Sequence, residues 1–506
     1  MIGPGVRERA ASGQARVAAR LPQVADKFGA KTTSASSFAV SWVKRLVRAQ
    51  WSCGMAATAT AAGALGGAWV VLSGGSALAL APAVAAVGAA VVFANRQVAA
   101  YVMLASLPFA EISVGHGISL VRYILILALI TWFIGASVFE SFTRLRLDRT
   151  DTKVIMWVVG SIASVAVFNF HNAPVLTQTY LNLVLVYYMA SRVVASPRQA
   201  RGAALAISVG VGVLALMTLT IPGLAGSVTA SGGVLRQGPL GVSGAAGINR
   251  FAGWLAVGTL LPWIALDGRE SRASTLVARG LSIASLVALV ATASKAGLIA
   301  VGVGVLCWTA LSPRGARIVR AVGASATLMA GWLLLPTGVH QRFSAFLQSN
   351  SLAYSRFAIW DAGLKMFLSH PFFGVGVGNF ARFAPTYFPQ GTPYEESQAA
   401  HNIVIGALAE TGMVGILLLI VMVGSVLMEG IRMVRADRRV GSTGDAGGLH
   451  LLERGTAYAR PTLGLVISYF VFLTVALSVD LERDRFFVVL AGLVHGLYRS
   501  RFRAAA

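Results

Sequence analysis

The chain has 506 residues, of which 56% are hydrophobic and 12% charged, with a mean hydropathy of +0.71. A soluble domain has no use for that much apolar surface, so the soluble globular classes are excluded. The formal net charge of +23 would suit nucleic acid in a soluble protein, but the basic residues sit mostly between apolar runs. The positive-inside rule accounts for them there, and no nucleic-acid partner is expected.

Residues 1–50, rich in Arg, Lys, Ala and Ser, read as a basic cytoplasmic tail. About fifty residues precede the first apolar run, so a cleaved signal peptide is not expected. Window hydropathy then predicts about fourteen membrane-spanning helices. They lie near 53–73, 77–95, 98–110, 119–140, 154–170, 174–191, 202–222, 251–267, 277–293, 296–312, 318–338, 402–428, 460–479 and 486–498. Cys53 and Cys307 fall at or within these runs and read as small core residues, not as a disulfide or metal pair.

With both termini cytoplasmic, six basic stretches share one side: "FTRLRLDRTDTK" (142–153), "SPRQAR" (196–201), "DGRESR" (267–272), "SPRGARIVR" (312–320), "IRMVRADRR" (431–439) and "YRSRFR" (498–503). Two opposite, outer loops stand out. One, from about Pro222 to Arg250, is rich in Gly and Ser. The other, residues 339–400, is far longer than an ordinary connection and too aromatic and apolar for a disordered one. The expected fold is therefore all-α, a polytopic bundle of about 12–14 spans with a long outer loop carrying an amphipathic helix. The expected divisions are the tail 1–50, N-terminal transmembrane helices 51–200, a core 201–430 that includes loop 339–400, and C-terminal helices and tail 431–506.

Within the long loop, "YSRFAIWDAGLKMFLSH" (354–370) reads as that amphipathic helix. Phe357, Trp360, Leu364, Phe367 and Leu368 form an apolar stripe, and Asp361 and Lys365 sit four apart on the wet face. Arg356 lies on or beside the stripe and calls for an anionic partner, from a headgroup, an ion pair or a substrate. His370-Pro371 ends the helix, and "GVGVGNF" (374–380) permits tight turns and close backbone approach, a structural turn being the default reading. A dinucleotide fingerprint is excluded because no βαβ unit surrounds it.

His401-Asn402 opens the next span, where the positive helix terminus disfavours imidazolium. A neutral His401 there suits a general base, and a polar helix cap is the alternative. Glu410, deeper in that span, is costly without a partner. Arg236, Arg250 (beside Asn249) and Lys295 are further outer cations. They suit a diphosphate leaving group, or else are surface charges and a snorkelling lysine. Glu395 and Glu396 read as solvated loop carboxylates, and no paired-carboxylate metal motif is seen in the outer loops.

Taken together, these stretches resemble the O-antigen ligase and O-antigen polymerase superfamily of bacterial membrane glycosyltransferases. The pattern is Arg356, then Trp360, "HPFFGVGVGNF" (370–380), "HN" (401–402) and "ETGMVG" (410–415), with "ATASKAGLIA" (291–300) and "GINRFAGWL" (247–255) upstream. The similarity covers roughly residues 200–430. It implies glycan transfer from a polyprenyl-diphosphate carrier to a lipid or glycan acceptor at the outer, periplasmic face of the bacterial inner membrane, as in lipopolysaccharide and cell-envelope polysaccharide biosynthesis. No cofactor and no metal are implied. By the same resemblance His401 assists the acceptor hydroxyl, and Arg356 with one of Lys295, Arg250 and Arg236 holds the diphosphate. Asn402, His370, Gly376 and Gly378 are placed beside the substrate. "INR" stands where many relatives have Asn-Pro-Asn, and about fourteen spans exceed the family's common twelve. A repeat-unit polymerase, a ligase acting on protein hydroxyls, a transporter or lipid-glycan flippase, and a non-catalytic glycan binder are the competing readings. A transporter would place its ionisable residues near the midplane and show internal repeats.

Overall fold

The computed structural model describes residues 96–111, 147–168, 173–221, 225–229, 235–239, 244–266, 271–311, 350–388, 399–442, 449–479 and 484–502. The tail 1–50, the spans expected near 53–73, 77–95, 119–140 and 318–338, Cys53, and the Glu395-Glu396 pair lie outside them.

The described elements follow the expected order. Helix α1 (Arg96–Ser106) runs into a short 3-10 turn (Leu107–Glu111), followed by α2 (Arg149–Phe168), α3 (Ala173–Val193) and α4 (Pro197–Thr220). Strands β1 (Ala225–Thr229) and β2 (Leu235–Pro239) precede α5 (Gly244–Ala265), α6 (Arg272–Ala291) and α7 (Lys295–Leu311). Then come α8 (Asn350–Ser369), α9 (Phe380–Tyr387), α10 (Ile403–Ser442), α11 (Leu449–Ala476) and α12 (Arg485–Phe502). Four of the described segments are long and apolar enough to cross a bilayer on length and composition: Pro197–Thr220, Arg272–Ala291, Ile403–Arg438 and Ala459–Ala476. The protein is an all-helical, multi-pass membrane bundle. One detail departs from the helical expectation. The Gly- and Ser-rich outer loop carries an antiparallel hairpin in which Val228 pairs with Arg236.

Packing among the helices follows small residues. On α12, Gly492 and Gly496 lie against the α3 backbone at Tyr187 and Ser191, where a Cβ would be crowded. Where lipid is as apolar as leucine, such close approach is what holds helices together. Cys307 is a free, half-buried thiol packed against the core.

Polar contacts define two ends of the bundle. At one end the start of α10 meets the end of α11 (Asn402 Nδ2 donates to Leu477 C=O, 3.2 Å). The start of α5 meets the approach to α12 there (Arg250 with Asp484). The other end gathers the start of α2, the end of α3 and the distal halves of α10 and α12, and it holds Arg149, Lys153, Arg192, Arg432, Arg499 and Arg501.

The feature that positions the first end is a break in α10 at Gly412, where φ is 63° and ψ −159°. A continuous helix would bond Met413 N–H to Ala409 C=O and Val414 N–H to Glu410 C=O. Both pairs are exchanged with the turn that follows α8. Met413 N–H donates to Pro371 C=O (2.7 Å) and Val414 N–H to Phe372 C=O (3.2 Å). In return, Val375 N–H donates to Ala409 C=O (2.8 Å) and Gly376 N–H to Glu410 C=O (3.0 Å). Ser164 Oγ on α2 lies 2.9 Å from Phe373 C=O and 2.8 Å from Glu410 C=O, tying a third element to this clasp. Backbone contact this close requires glycine on both sides. A Cβ on Gly374 (φ 66°) would meet Ala409 C=O at 2.5 Å, and one on Gly412 would meet the Phe372 carbonyl at 2.5 Å.

Gly412→Ala must therefore lower stability by about 2 kcal/mol or more, from the left-handed backbone and the clash together. Gly280→Ala, on α6 with no neighbouring atom within 4 Å, is expected to be neutral or stabilising by up to about 1 kcal/mol. Thermal unfolding of the two variants in detergent checks the contrast.

Candidate active site

The clasp fixes where α8 starts its return. Asn379 Nδ2 donates to Val375 C=O (2.9 Å), closing the turn. The buried Glu410 carboxylate accepts from Phe380 N–H (3.0 Å) at the positive N-terminus of α9. This is a partner of the kind that a carboxylate inside a span requires. His370 ends α8, its carbonyl accepting from Gly374 N–H (2.9 Å). Gly376 thus serves the clasp through its backbone, while Gly378 (φ 82°) is an exposed turn residue before the buried Asn379.

Helix α8 packs onto α10 by a face other than the apolar stripe expected from the sequence. Ala358, Ile359, Ala362 and Met366 are buried, while Phe357, Leu364 and Leu368 are exposed. The reason is approach distance. Gly363 comes so close to α10 that a Cβ would meet Ile405 Cγ2 at 2.6 Å, and small neighbours permit this where the aromatics would not. The larger side chains are left for lipid and headgroups. Asp361 and Lys365 pair on the exposed side as expected (2.7 Å).

Trp360 links α8 to the residue before His401, its indole N–H donating to Ala400 C=O (3.2 Å). Arg356, one turn earlier, lies near enough for its charge to act on His401. The guanidinium is half-buried and has no hydrogen bond or ion pair to any described residue. Burial holds it below its usual value, though still charged. His401 adopts a left-handed backbone (φ 52°), and its Nδ1 is buried without a hydrogen-bond partner among the described residues. Burial first, and the Arg356 charge second, depress its pKa below 6.5. A neutral imidazole thus lies near a cation that has no counter-ion among the described residues.

The helix cap is Asn402, not His401. Asn402 Oδ1 accepts from Val404 N–H (2.9 Å) and Ile405 N–H (3.2 Å), satisfying two of the free amides of α10. This leaves the His401 ring outside the capping arrangement.

The upstream segments form a second feature. Ser294 caps α7 and donates to Asn249 Oδ1 (2.8 Å), both buried. The preceding Ala293 has φ 47°, one of two described non-glycine residues with positive φ, the other being His401. Strain of this kind persists where the surroundings impose it, and it gathers at functional sites. Lys295 is the half-buried first residue of α7. Arg250 pairs with Asp484 (Nε to Oδ2, 3.4 Å), whose Oδ1 accepts from Phe486 N–H (2.7 Å). Arg250 therefore already has a carboxylate, whereas Arg356 has none among the described residues. Arg236 lies on β2.

Sequence reasoning passed over Asp484 and a cluster at the other end. There His495 Nδ1 and Nε2 lie 2.8 Å from Glu429 and Asp148, and Asp151 pairs with Arg192 (2.5 Å). Asp148, Asp151 and His495 are near enough to share a cation, but both nitrogens of His495 already face carboxylates. A histidine inside the span "FFVVLAGLVHGL" was the available signal.

Residues 280–420 match the family described as O-Antigen ligase. No individually curated protein matches the chain.

In a titration of histidine ring signals, His401 should show a midpoint below 6.5. Arg356→Gln should move it upward, because a nearby positive charge is removed, while residual burial keeps it from rising above 6.5. A midpoint above 6.5 in the unmodified protein would contradict the described environment.

Proposed function

With an O-antigen ligase domain at residues 280–420, the chain is a member of the O-antigen ligase superfamily of membrane glycosyltransferases, and we propose that it transfers a glycan from a polyprenyl-diphosphate carrier to an acceptor hydroxyl. The observation that carries this reading is the half-buried Arg356, without a carboxylate partner among the described residues, near the depressed His401. Such a pair is suited to an anion that arrives with the substrate.

In the proposed reaction the acceptor oxygen bonds to the anomeric carbon as the bond to the diphosphate oxygen breaks. His401 takes the acceptor proton, and the polyprenyl diphosphate leaves with its electron pair. Arg356 stabilises the charge on the departing diphosphate through charge-assisted hydrogen bonds, which is transition-state stabilisation by a fixed cation. The same cation regulates the base. Bound diphosphate screens Arg356, and the His401 pKa rises towards its ordinary value, so the imidazole becomes a stronger base when the donor is present. Lys295, Arg250 and Arg236 are the candidates for the second clamp, and Arg250 already faces Asp484. The charge stabilisation comes from side chains, and the reaction is read as metal-independent. By the positive-inside rule the arginine-rich end faces the cytoplasm, which puts His401 at the periplasmic face of the inner membrane.

Transfer from a polyprenyl-diphosphate glycan, followed in reconstituted protein, tests the assignment. His401→Ala should lower kcat by about 10²–10⁴-fold with donor binding retained. Arg356→Ala should weaken donor binding and lower kcat by at least about tenfold. Full activity in both variants overturns the assignment. The acceptor used by the unmodified protein, lipid-linked core or growing glycan, separates ligase from polymerase.

A further inference from the structure

At the end of the bundle opposite His401, a cavity of about 770 Å³ opens between α2, α10 and α12. Three cations line it, Arg149, Lys153 and Arg432, together with Thr150, Ser425 and Tyr498. None of the three forms an ion pair with a described residue. Arg149 and Arg432 are exposed, and Lys153 donates only to Ser425 Oγ (2.7 Å). The one carboxylate in the wall, Glu429, is already occupied. Its Oε1 accepts from Thr150 (2.7 Å) and its Oε2 lies 2.8 Å from His495 Nδ1. The cavity is thus a concentration of positive charge whose one lining carboxylate is already hydrogen-bonded.

Its position matters as much as its charge. From the Gly412 break to Arg432, about twenty residues of α10 rise about 30 Å, one hydrocarbon thickness. The cations therefore stand at the far membrane interface. Below them the wall is apolar and outward-facing, with Ile420 57%, Val421 47% and Met428 47% exposed. On α2, Met156 and Val159 are also exposed, at 51% and 59%. A polar, cationic mouth above a lipid-facing apolar strip is complementary to an anionic headgroup with its acyl chains attached. A soluble anion would use the mouth alone.

We propose that this groove is a binding site for an anionic glycerophospholipid, its headgroup phosphate held by Arg149, Lys153 and Arg432 and its chains lying along α10 and α2. The site is separate from the glycan-transfer site and does not depend on that assignment.

The test uses the purified full chain in detergent, with phosphatidylglycerol as the probe and phosphatidylcholine and inorganic phosphate as controls. Binding is read by native mass spectrometry. Phosphatidylglycerol should bind more tightly than phosphatidylcholine, and the double variant Arg149→Gln/Arg432→Gln should lose about tenfold or more of that affinity. Both side chains are exposed and without ion pairs among the described residues, so folding should be unaffected. In the unmodified chain, a photoactivatable phosphatidylglycerol should crosslink to α10 between residues 420 and 432 or to α2 near 149–159. Equal affinity in the variant, crosslinks confined elsewhere, or protection by inorganic phosphate as strong as by the lipid would each overturn the proposal.

Discussion

The exchange of backbone hydrogen bonds at Gly412 is the constraint on which the rest of the described site depends. A helix broken within a membrane protein frees carbonyls and amides that lipid cannot satisfy. Here the two amides of Met413 and Val414 and the two carbonyls of Ala409 and Glu410 are all met by the turn after α8. The break therefore costs little in lost hydrogen bonds and gains a rigid attachment. Through it the long outer loop is fastened to the bundle at residues 371–376, and again where Trp360 reaches Ala400. Arg356 is carried on the same helix, one turn before the Trp360 attachment, so its place near His401 follows from backbone geometry, not from any attraction between the two groups.

That arrangement is informative. A cation with no counter-ion among the described residues and a depressed histidine are each unfavourable, and an anionic ligand would relieve both. Arg250 shows the contrasting arrangement at the same end of the bundle, a guanidinium matched with Asp484 and thereby committed to holding α5 near α12. At the opposite end Glu429, Asp148, Asp151, His495 and Arg192 compensate one another, which keeps the cations of the neighbouring groove available to an external anion. The two ends thus distribute charge by the same logic. Pairs that are satisfied internally brace the helices, and cations without carboxylates face sites where an anion can enter.

The helices were largely legible in the sequence because membrane spans are written locally, as apolar runs punctuated by arginine. The ends of α2 to α7 and α10 to α12 fall within several residues of the expected spans, apart from the longer helical extensions beyond the lipid in α10 and α11. The amphipathic helix was likewise visible at 354–370, but its packed face was not. Hydrophobicity pointed to the stripe of Phe357 and Leu364, whereas the small residues Ala358, Ala362 and Gly363 decide which side approaches α10. The roles of the glycines and of Asn402 depend on partners far away in sequence. Gly376 is read correctly only beside Glu410, and Asn402 only beside Leu477 and the amides it caps. Asp484 and the Asp148–His495 pair, 347 residues apart, were hidden for the same reason.

The most direct test is an experimental structure of the protein with a polyprenyl-diphosphate-linked glycan bound. The account predicts diphosphate density within hydrogen-bonding distance of the Arg356 guanidinium, with the anomeric carbon open to an acceptor oxygen beside His401. Diphosphate bound elsewhere, with Arg356 turned away from it, would contradict the central claim that this uncompensated arginine exists to receive the donor.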